Sequence, residues 1–455
     1  MPARWGRPAF LLAVFTLPWA GVGVVHALTG VDMGGGLQPS WLLLAGALLA
    51  GVGTWRKVLG QGPGGRLLFC LTGLPLAAML LSLIGLWEAP SGEPLNPAFG
   101  RWLRQVVQWL IMMAFVWGTV LYWRRGGSLR PVLDFLFAGV VFQILYSGWM
   151  AWNFQHPGTV FAALEGFFTS NPSILAGSER LYVDNQLQNF PRLRGTVCEP
   201  LYLGNYLVTV WPLLFIWRRP LAWRLILGGL MALLLAMTFS RGAWLGLSAQ
   251  LPVLGVGWYL SERRTTQTRR PCSCWRVWAV PLSLVALAMA GDLATGGYLR
   301  LRLLAAFNAQ DWSNLTRLYS MQAAWRAFQL SPWVGVGWGQ YPFHFPLLVD
   351  PMGLQSQFTW PVVNNYPLKI LCETGLAGLL TFLGLGVHLV RRVLFTPRGR
   401  GVPRNAVVGA ALLGLWGAGV QLCTFSQYNL PHLWFVLGVL VAGLENGPSA
   451  DEDTA

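Results

Sequence analysis

Arginines in charge-poor segments hold most of the chemistry this sequence could do. Arg192 and Arg194 stand two apart in Arg192-Leu-Arg-Gly-Thr-Val-Cys-Glu199-Pro200. Arg241 falls between two apolar runs in Thr238-Phe-Ser-Arg241-Gly-Ala-Trp, and Arg317 opens Arg317-Leu-Tyr-Ser-Met-Gln-Ala-Ala-Trp-Arg326. Arginine keeps its charge at any working pH, and its planar fork matches two phosphate oxygens at once. Each also has a plainer reading. Arg241 could be an interfacial anchor that snorkels. Arg192 and Arg194 could be solvated loop charges, and Arg317 with Arg326 one wet helix face. Glu199 precedes Pro200 at the start of an apolar run. It is either a favourable charge at a helix N-terminus or a carboxylate that activates a hydroxyl.

Other polar groups are scattered. Glu373 lies inside an apolar run, where an unpaired charge is costly, and Lys369 four residues earlier would pair with it on one helix face. The histidines His26, His156, His344, His388 and His432 show no HxxxH or HExxH spacing. Cys272 and Cys274 are two apart with no neighbouring His, a poor disulfide spacing and a weak metal site. No metal or other cofactor is expected. Trp333, Trp338 and Trp360 could stack on sugar rings.

The elements that must position these residues are helices in a bilayer. The chain has 455 residues, of which 54% are hydrophobic and 11% charged, against ~25% charged in soluble proteins. So few charges cannot coat a soluble globule, which excludes disorder, a coiled coil and a nucleic-acid-binding domain. Apolar runs fall near 8–29, 40–55, 67–87, 105–123, 131–152, 200–217, 221–238, 242–261, 276–291, 366–390, 405–424 and 429–444. With roughly 20 residues needed per crossing, they predict an all-α integral membrane protein of about twelve spans, within a range of ten to thirteen. The first run lacks a small-residue cleavage site and reads as a retained helix.

Charge sets the expected orientation. Basic groups fall on alternate connections: Arg4 and Arg7; Arg56, Lys57 and Arg66; Arg124, Arg125 and Arg130; Arg218, Arg219 and Arg224; Arg263 to Arg276; Arg391 to Arg404. The positive-inside rule then puts both termini in the cytoplasm, and the net charge of +15 becomes a topology signal and a fit to anionic lipid heads. The organisation read from this is 1–152, the first helices; 153–199, a long outer loop; 200–291, further spans; 292–365, a large outer loop; 366–444, the last spans; and 445–455, an acidic tail. Long loops on a compact bundle usually carry function. The second is expected to hold a helix from Asn314, which could cap it. A Gly-rich turn follows, Gly335-Val-Gly-Trp-Gly339; with no strand before it and no Lys after it, it is not a nucleotide loop.

Four segments in order resemble the O-antigen ligase and polymerase superfamily of bacterial membrane glycosyltransferases. They are Arg192-Leu-Arg-Gly-Thr-Val-Cys-Glu199-Pro200-Leu-Tyr-Leu-Gly204; Ser240-Arg241-Gly-Ala-Trp244-Leu; Arg317 with Trp325 and the Gly335–Gly339 turn; and Asn364-Asn365-Tyr-Pro-Leu-Lys-Ile-Leu-Cys-Glu373-Thr-Gly375-Leu-Ala-Gly378. The core of the resemblance covers about 190–380.

The resemblance implies transfer of a glycan from undecaprenyl diphosphate to an acceptor hydroxyl at the outer, periplasmic face of the inner membrane. The acceptor would be the lipid A core for a ligase or a second lipid-linked glycan for a polymerase; transfer to protein is a third family option. Displacement would be direct and inverting, without metal, and nucleic acid has no part. Arg192, Arg241, Arg317 and Glu199 would be catalytic, with Arg194, Asn364, Asn365, His344 and Trp338 binding substrate. Where the ligases carry a His thought to activate the acceptor, this chain has Asn364, which cannot act as a base. Either Glu199 or His344 takes that role, or the chain is polymerase-like, as the Glu199-Pro200 variant also suggests. The reading from another class is a secondary transporter or lipid-glycan flippase, which should show internal repeats and midplane charges; no repeat is visible. A cell-wall transglycosylase fits the Ser240–Trp244 stretch less well.

Overall fold

The computed structural model describes residues 6–19, 38–50, 63–88, 96–168, 192–265, 296–305, 312–353, 361–395 and 402–445, together with 30, 289, 292, 293, 308 and 310. Fifteen α-helices run in chain order among these residues: α1 Gly6–Phe15, α2 Pro39–Leu49, α3 Pro63–Leu81, α4 Asn96–Arg124, α5 Leu129–Gln155, α6 Thr159–Phe168, α7 Pro200–Val210, α8 Leu221–Met237, α9 Arg241–Thr265, α10 Tyr298–Leu304, α11 Trp312–Leu330, α12 Tyr341–Val349, α13 Tyr366–Phe395, α14 Val402–Leu422 and α15 Pro431–Leu444. Proline at the first turn of α2, α7 and α15 sets where they start, since its fixed φ suits the helix and its missing N–H costs nothing there. No strand occurs among the described residues.

Among the described residues, four helical stretches are long and apolar enough to cross a membrane: Gly65–Trp87, Ala98–Arg124, Leu129–Gln155 and Tyr366–Phe395. Shorter apolar helices form at Gly6–Phe15, Pro39–Leu49, Pro200–Ile216, Leu221–Met237, Ala406–Leu422 and Pro431–Leu444, while the run at 242–261 lies within the 25-residue α9. The run at 276–291 apart from Met289, all of 20–29, Cys272, Cys274, His26 and Trp360 lie outside the described residues.

Helices meet closely where side chains are small. An ideal Cβ on Gly414 of α14 would sit 2.1 Å from the Thr209 carbonyl oxygen of α7, and one on Gly246 of α9 would sit 2.6 Å from the Gly417 carbonyl oxygen. Small residues let backbones approach in this way when lipid offers no hydrophobic drive. Side-chain amides bridge the same contacts. Gln250 Nε2 donates to the carbonyls of Val208 (2.9 Å) and Leu413 (3.0 Å), while Asn205 Nδ2 donates to Gln421 Oε1 at 3.1 Å. His432 Nε2 lies 2.9 Å from Asn205 Oδ1, an interior position as its sequence suggests.

One end of the bundle gathers basic groups. Arg124 pairs with Glu445 at 2.7 Å, Arg219 with Asp134 at 2.9 Å, and Arg7 donates to the Arg125 carbonyl at 2.8 Å. Asp134 also accepts from Trp217 Nε1 at 2.8 Å, so its role is structural.

Both long loops contain more structure than expected. Residues 159–168 form α6, whose Phe161 and Phe168 pack on Tyr146. In the second, α11 begins at Trp312, so Asn314 lies within its first turn and not at the cap. Its Nδ2 donates to the carbonyls of Ala305 (3.1 Å) and Asn308 (2.8 Å), tying the helix start to the segment before it.

The Gly-rich segment is not a surface turn. It enters the bundle, where Val336, Trp338 and Gln340 are buried. There it meets α13, which is broken at Gly375 (φ 65°, ψ −167°). The Val336 and Gly337 amides donate to the carbonyls of Cys372 (2.9 Å) and Glu373 (3.2 Å), and the Leu376 and Ala377 amides to those of Pro332 (2.8 Å) and Trp333 (3.2 Å). A Cβ on Gly335 would stand 2.3 Å from the Glu373 carbonyl carbon, and one on Gly375 2.3 Å from that of Trp333. Both glycines are required here: each has positive φ and each touches backbone.

Candidate active site

The site begins at a tight corner between α8 and α9. Thr238 Oγ1 donates to the Leu235 carbonyl at 2.7 Å, and the Ser240 amide donates back to Thr238 Oγ1 at 3.3 Å. Phe239 between them has φ 48° and is fully buried, a conformation that costs a non-glycine residue roughly 1–2 kcal/mol. Ser240 Oγ accepts from the Ala243 amide at 3.4 Å and caps α9. Arg241 is thereby the first residue of α9, part-buried.

Arg192 is laid on this corner. The Leu193 amide donates to the Met237 carbonyl at 3.0 Å, and Arg192 Nε donates to the Thr238 carbonyl at 3.2 Å. Burial lowers the Arg192 pKa to about 10. The like charges of Arg302 and Arg241 push the same way, and Tyr298 and Glu199 oppose them. Glu199 precedes α7 without capping it by its side chain. Burial raises its pKa above the usual carboxylate value, and Arg192 partly offsets this. Beside it, burial pushes the Cys198 thiol up to about 11, which keeps it a neutral thiol.

Arg194 goes elsewhere. It is 1% exposed, pairs with Glu165 of α6 and donates to the Val197 carbonyl at 2.8 Å. Next to it the Thr196 amide donates to Gln143 Oε1 at 2.9 Å, and Gln143 Nε2 to Thr196 Oγ1 at 2.8 Å. Arg194 thus fastens the loop to α6, and Thr196 fastens it to α5.

A second group forms around α11. Arg317 lies one turn before Ser320, whose Oγ accepts from the Asn364 amide and from Asn364 Nδ2, both at 3.2 Å. Asn365 Oδ1 accepts from the Leu368 amide at 2.9 Å and so caps α13, while its Nδ2 donates to the Cys423 carbonyl at 3.1 Å. Thr424, next in sequence, would be 2.4 Å from a Cβ on Gly242. The turn after α14 therefore abuts both Asn365 and the start of α9. Phe425 extends it to Tyr202 near Glu199, with ring centroids 6.0 Å apart. This turn had no motif to announce it.

The remaining candidates sit deeper. Trp338 is fully buried, with Lys369 Nζ 5.5 Å from its ring centroid; no face of the indole is open to a sugar in this conformation. Trp333 is 73% exposed. Glu373 does not form the expected ion pair with Lys369. Its Oε1 accepts from the Tyr341 amide at 3.3 Å, and Lys369 lies over the Trp338 and Tyr428 rings instead. His344 is 3% exposed in α12, and burial lowers its pKa to about 4, so the ring is neutral at pH 7.

The structure thus joins Arg192, Arg241 and Glu199 at one corner and sets Arg317 with Asn364 and Asn365 in a neighbouring group. It adds Tyr298 and Arg302, which sequence reading passed over because they sit in a leucine-rich stretch with no motif. Among the described residues no three His, Cys, Asp or Glu side chains gather as a metal-binding group. Residues 226–383 match the family model described as O-antigen ligase. That match, over about a third of the chain, supports the resemblance to the O-antigen ligase and polymerase superfamily. The matched segment runs from within α8 to within α13 and contains Arg241, Arg317, His344, Asn364, Asn365 and Glu373. A search of curated proteins returned no match.

Proposed function

We propose that the protein transfers an oligo- or polysaccharide from undecaprenyl diphosphate to an acceptor hydroxyl at the periplasmic face of the inner membrane. The observation that carries this reading is the corner where Arg192, Arg241 and Glu199 share one site. In the reaction the acceptor oxygen attacks the anomeric carbon from the face opposite the diphosphate. The new C–O bond forms as the bond to the diphosphate oxygen breaks, with inversion. Glu199 takes the acceptor proton, a role its raised pKa suits. Negative charge grows on the departing diphosphate, and Arg192 and Arg241 meet it with preorganised N–H donors. Arg317, on α11 beside Asn364, completes the clamp from the side that covers the site. The arginines take the charge-neutralising role that a divalent metal has in many cytoplasmic glycosyltransferases.

Glu199 is favoured over His344 as the acceptor-activating group because it faces Arg192, whereas His344 is enclosed in α12. The acceptor is the lipid A core or a second lipid-linked glycan. The test is transfer by purified protein in nanodiscs, using a lipid-linked oligosaccharide donor and each acceptor in turn. Product on the lipid A core identifies a ligase, and product on a second lipid-linked unit a polymerase. No product with either acceptor, from folded protein, overturns the reading.

A further inference from the structure

Helix α10 touches the same corner from outside. Tyr298 opens it, 5% exposed, with its ring 4.7 Å from that of Phe239. Arg302 is four residues on, so helical spacing puts it on the face that Tyr298 turns to the corner. Its charge bears on Arg192 more than that of any other ionised side chain there, and it bears on Tyr298 too. The helix is anchored at its start: the Gly297 amide donates to the Asp292 carbonyl at 2.7 Å, and the Arg300 amide to Asp292 Oδ1 at 2.8 Å.

Three leucines of α10 are exposed, beside Arg300. Leu301, Leu303 and Leu304 are 48%, 48% and 60% exposed. Met289 and Leu293, just before the helix, are exposed as well. A water-filled cleft does not favour such a row of leucines, whereas the headgroup boundary of a bilayer does. One short helix therefore presents a cation to an arginine-lined corner and leucines to its surroundings. That pairing is complementary to an amphiphile with an anionic head and a hydrocarbon tail.

We propose that α10 is the lip over which the lipid donor enters: Arg302 grips the diphosphate with Arg192 and Arg241, and Leu301, Leu303 and Leu304 seat the first isoprene units of the chain. The proposal rests on the donor named above and adds a fourth arginine and a tail contact to it. A glycan-free probe separates the two ideas. Undecaprenyl diphosphate binding is measured by native mass spectrometry on purified protein. Transfer is measured with a full-length donor and with a short-chain, water-soluble prenyl diphosphate donor.

Arg302→Ala should weaken retention of undecaprenyl diphosphate by about tenfold and lower turnover with both donors by a similar factor, the scale of one charged hydrogen-bonding partner. Arg302→Lys, which keeps bulk and charge but loses the fork, should fall between. Leu301→Ser with Leu304→Ser should raise KM for the full-length donor several-fold and leave the short donor unchanged, as removal of about two buried side chains implies. Arg300→Ala, on the exposed edge, should match the parent throughout. Parent-like binding by folded Arg302→Ala, or a serine variant that affects both donors equally, overturns the proposal. If the parent transfers no glycan yet binds the probe in an Arg302-dependent way, the transfer reading fails and the lipid diphosphate site stands.

Discussion

Arg192 and Arg194 show how two arginines two residues apart come to different fates. Arg192 hydrogen-bonds the α8–α9 corner, whereas Arg194 enters an ion pair with Glu165 of α6. Arg194→Ala should therefore lower the thermal midpoint and the yield, since a part-buried carboxylate loses its partner. Arg192→Ala should accumulate normally and fail to turn over. Arg241→Ala should lose on the order of 100-fold in rate, as removal of a transition-state donor does, and Arg241→Lys should recover only a part. His156→Ala, on the exposed end of α5, serves as the control and should be unchanged. Parent-like turnover in both Arg241 variants would reduce that residue to an interfacial anchor. Glu199 adds a pH dependence. A general base works deprotonated, so rate should fall as pH drops through its pKa. Because burial raises that pKa, the loss should begin at higher pH than an ordinary carboxylate gives. Glu199→Gln should remove both the rate and the pH limb.

At the scale of elements, periodicity and punctuation made the helices legible. Pro200, Pro431 and the long apolar runs mark their starts, and α11 lies close to where Asn314 suggested. What sequence did not reveal depends on partners distant in the chain. Gly335 read as part of a loop turn and Gly375 as part of a family-like motif, yet they are two halves of one backbone contact 40 residues apart. The Lys369–Glu373 spacing predicted an ion pair, but the break in α13 brings the Tyr341 amide to the carboxylate first. Arg302 is hidden for a similar reason, since only folding brings α10 to Phe239. Gly375→Ala should lower the thermal midpoint, because alanine at that φ is strained and its Cβ meets the Trp333 backbone. Gly409→Ala, with open space around it, should leave it unchanged or raise it. Equal midpoints for the two variants would mean the break in α13 is tolerant of side chains.

For the whole molecule the question is which end faces which compartment. The ion pairs Arg124–Glu445 and Arg219–Asp134 gather at one end, and the Arg192–Arg241 corner lies where other helices begin and finish. A reporter active only in the cytoplasm should work when fused at the C-terminus or after Arg270 and stay silent after Asn308. The reverse pattern would put the arginine corner on the wrong face for a lipid-linked glycan. Activity should also persist in excess chelator. Loss that magnesium or manganese restores would reveal a metal that the arginines do not replace.

The break in α13 also bears on how the chain is built. Its freed carbonyls at Cys372 and Glu373 find their partners in a segment synthesised earlier, Val336 and Gly337. Until α13 arrives, those loop amides have no such carbonyls to meet; until the loop turns inward, the half-helices have none of these donors. Hydrocarbon cannot satisfy either set. The final turns of assembly should therefore follow insertion, with the Gly-rich segment turning inward to close an incomplete span. A cysteine replacing Val336, open to a membrane-impermeant thiol reagent in chains truncated after Asp350, should become protected once the chain extends past Phe395.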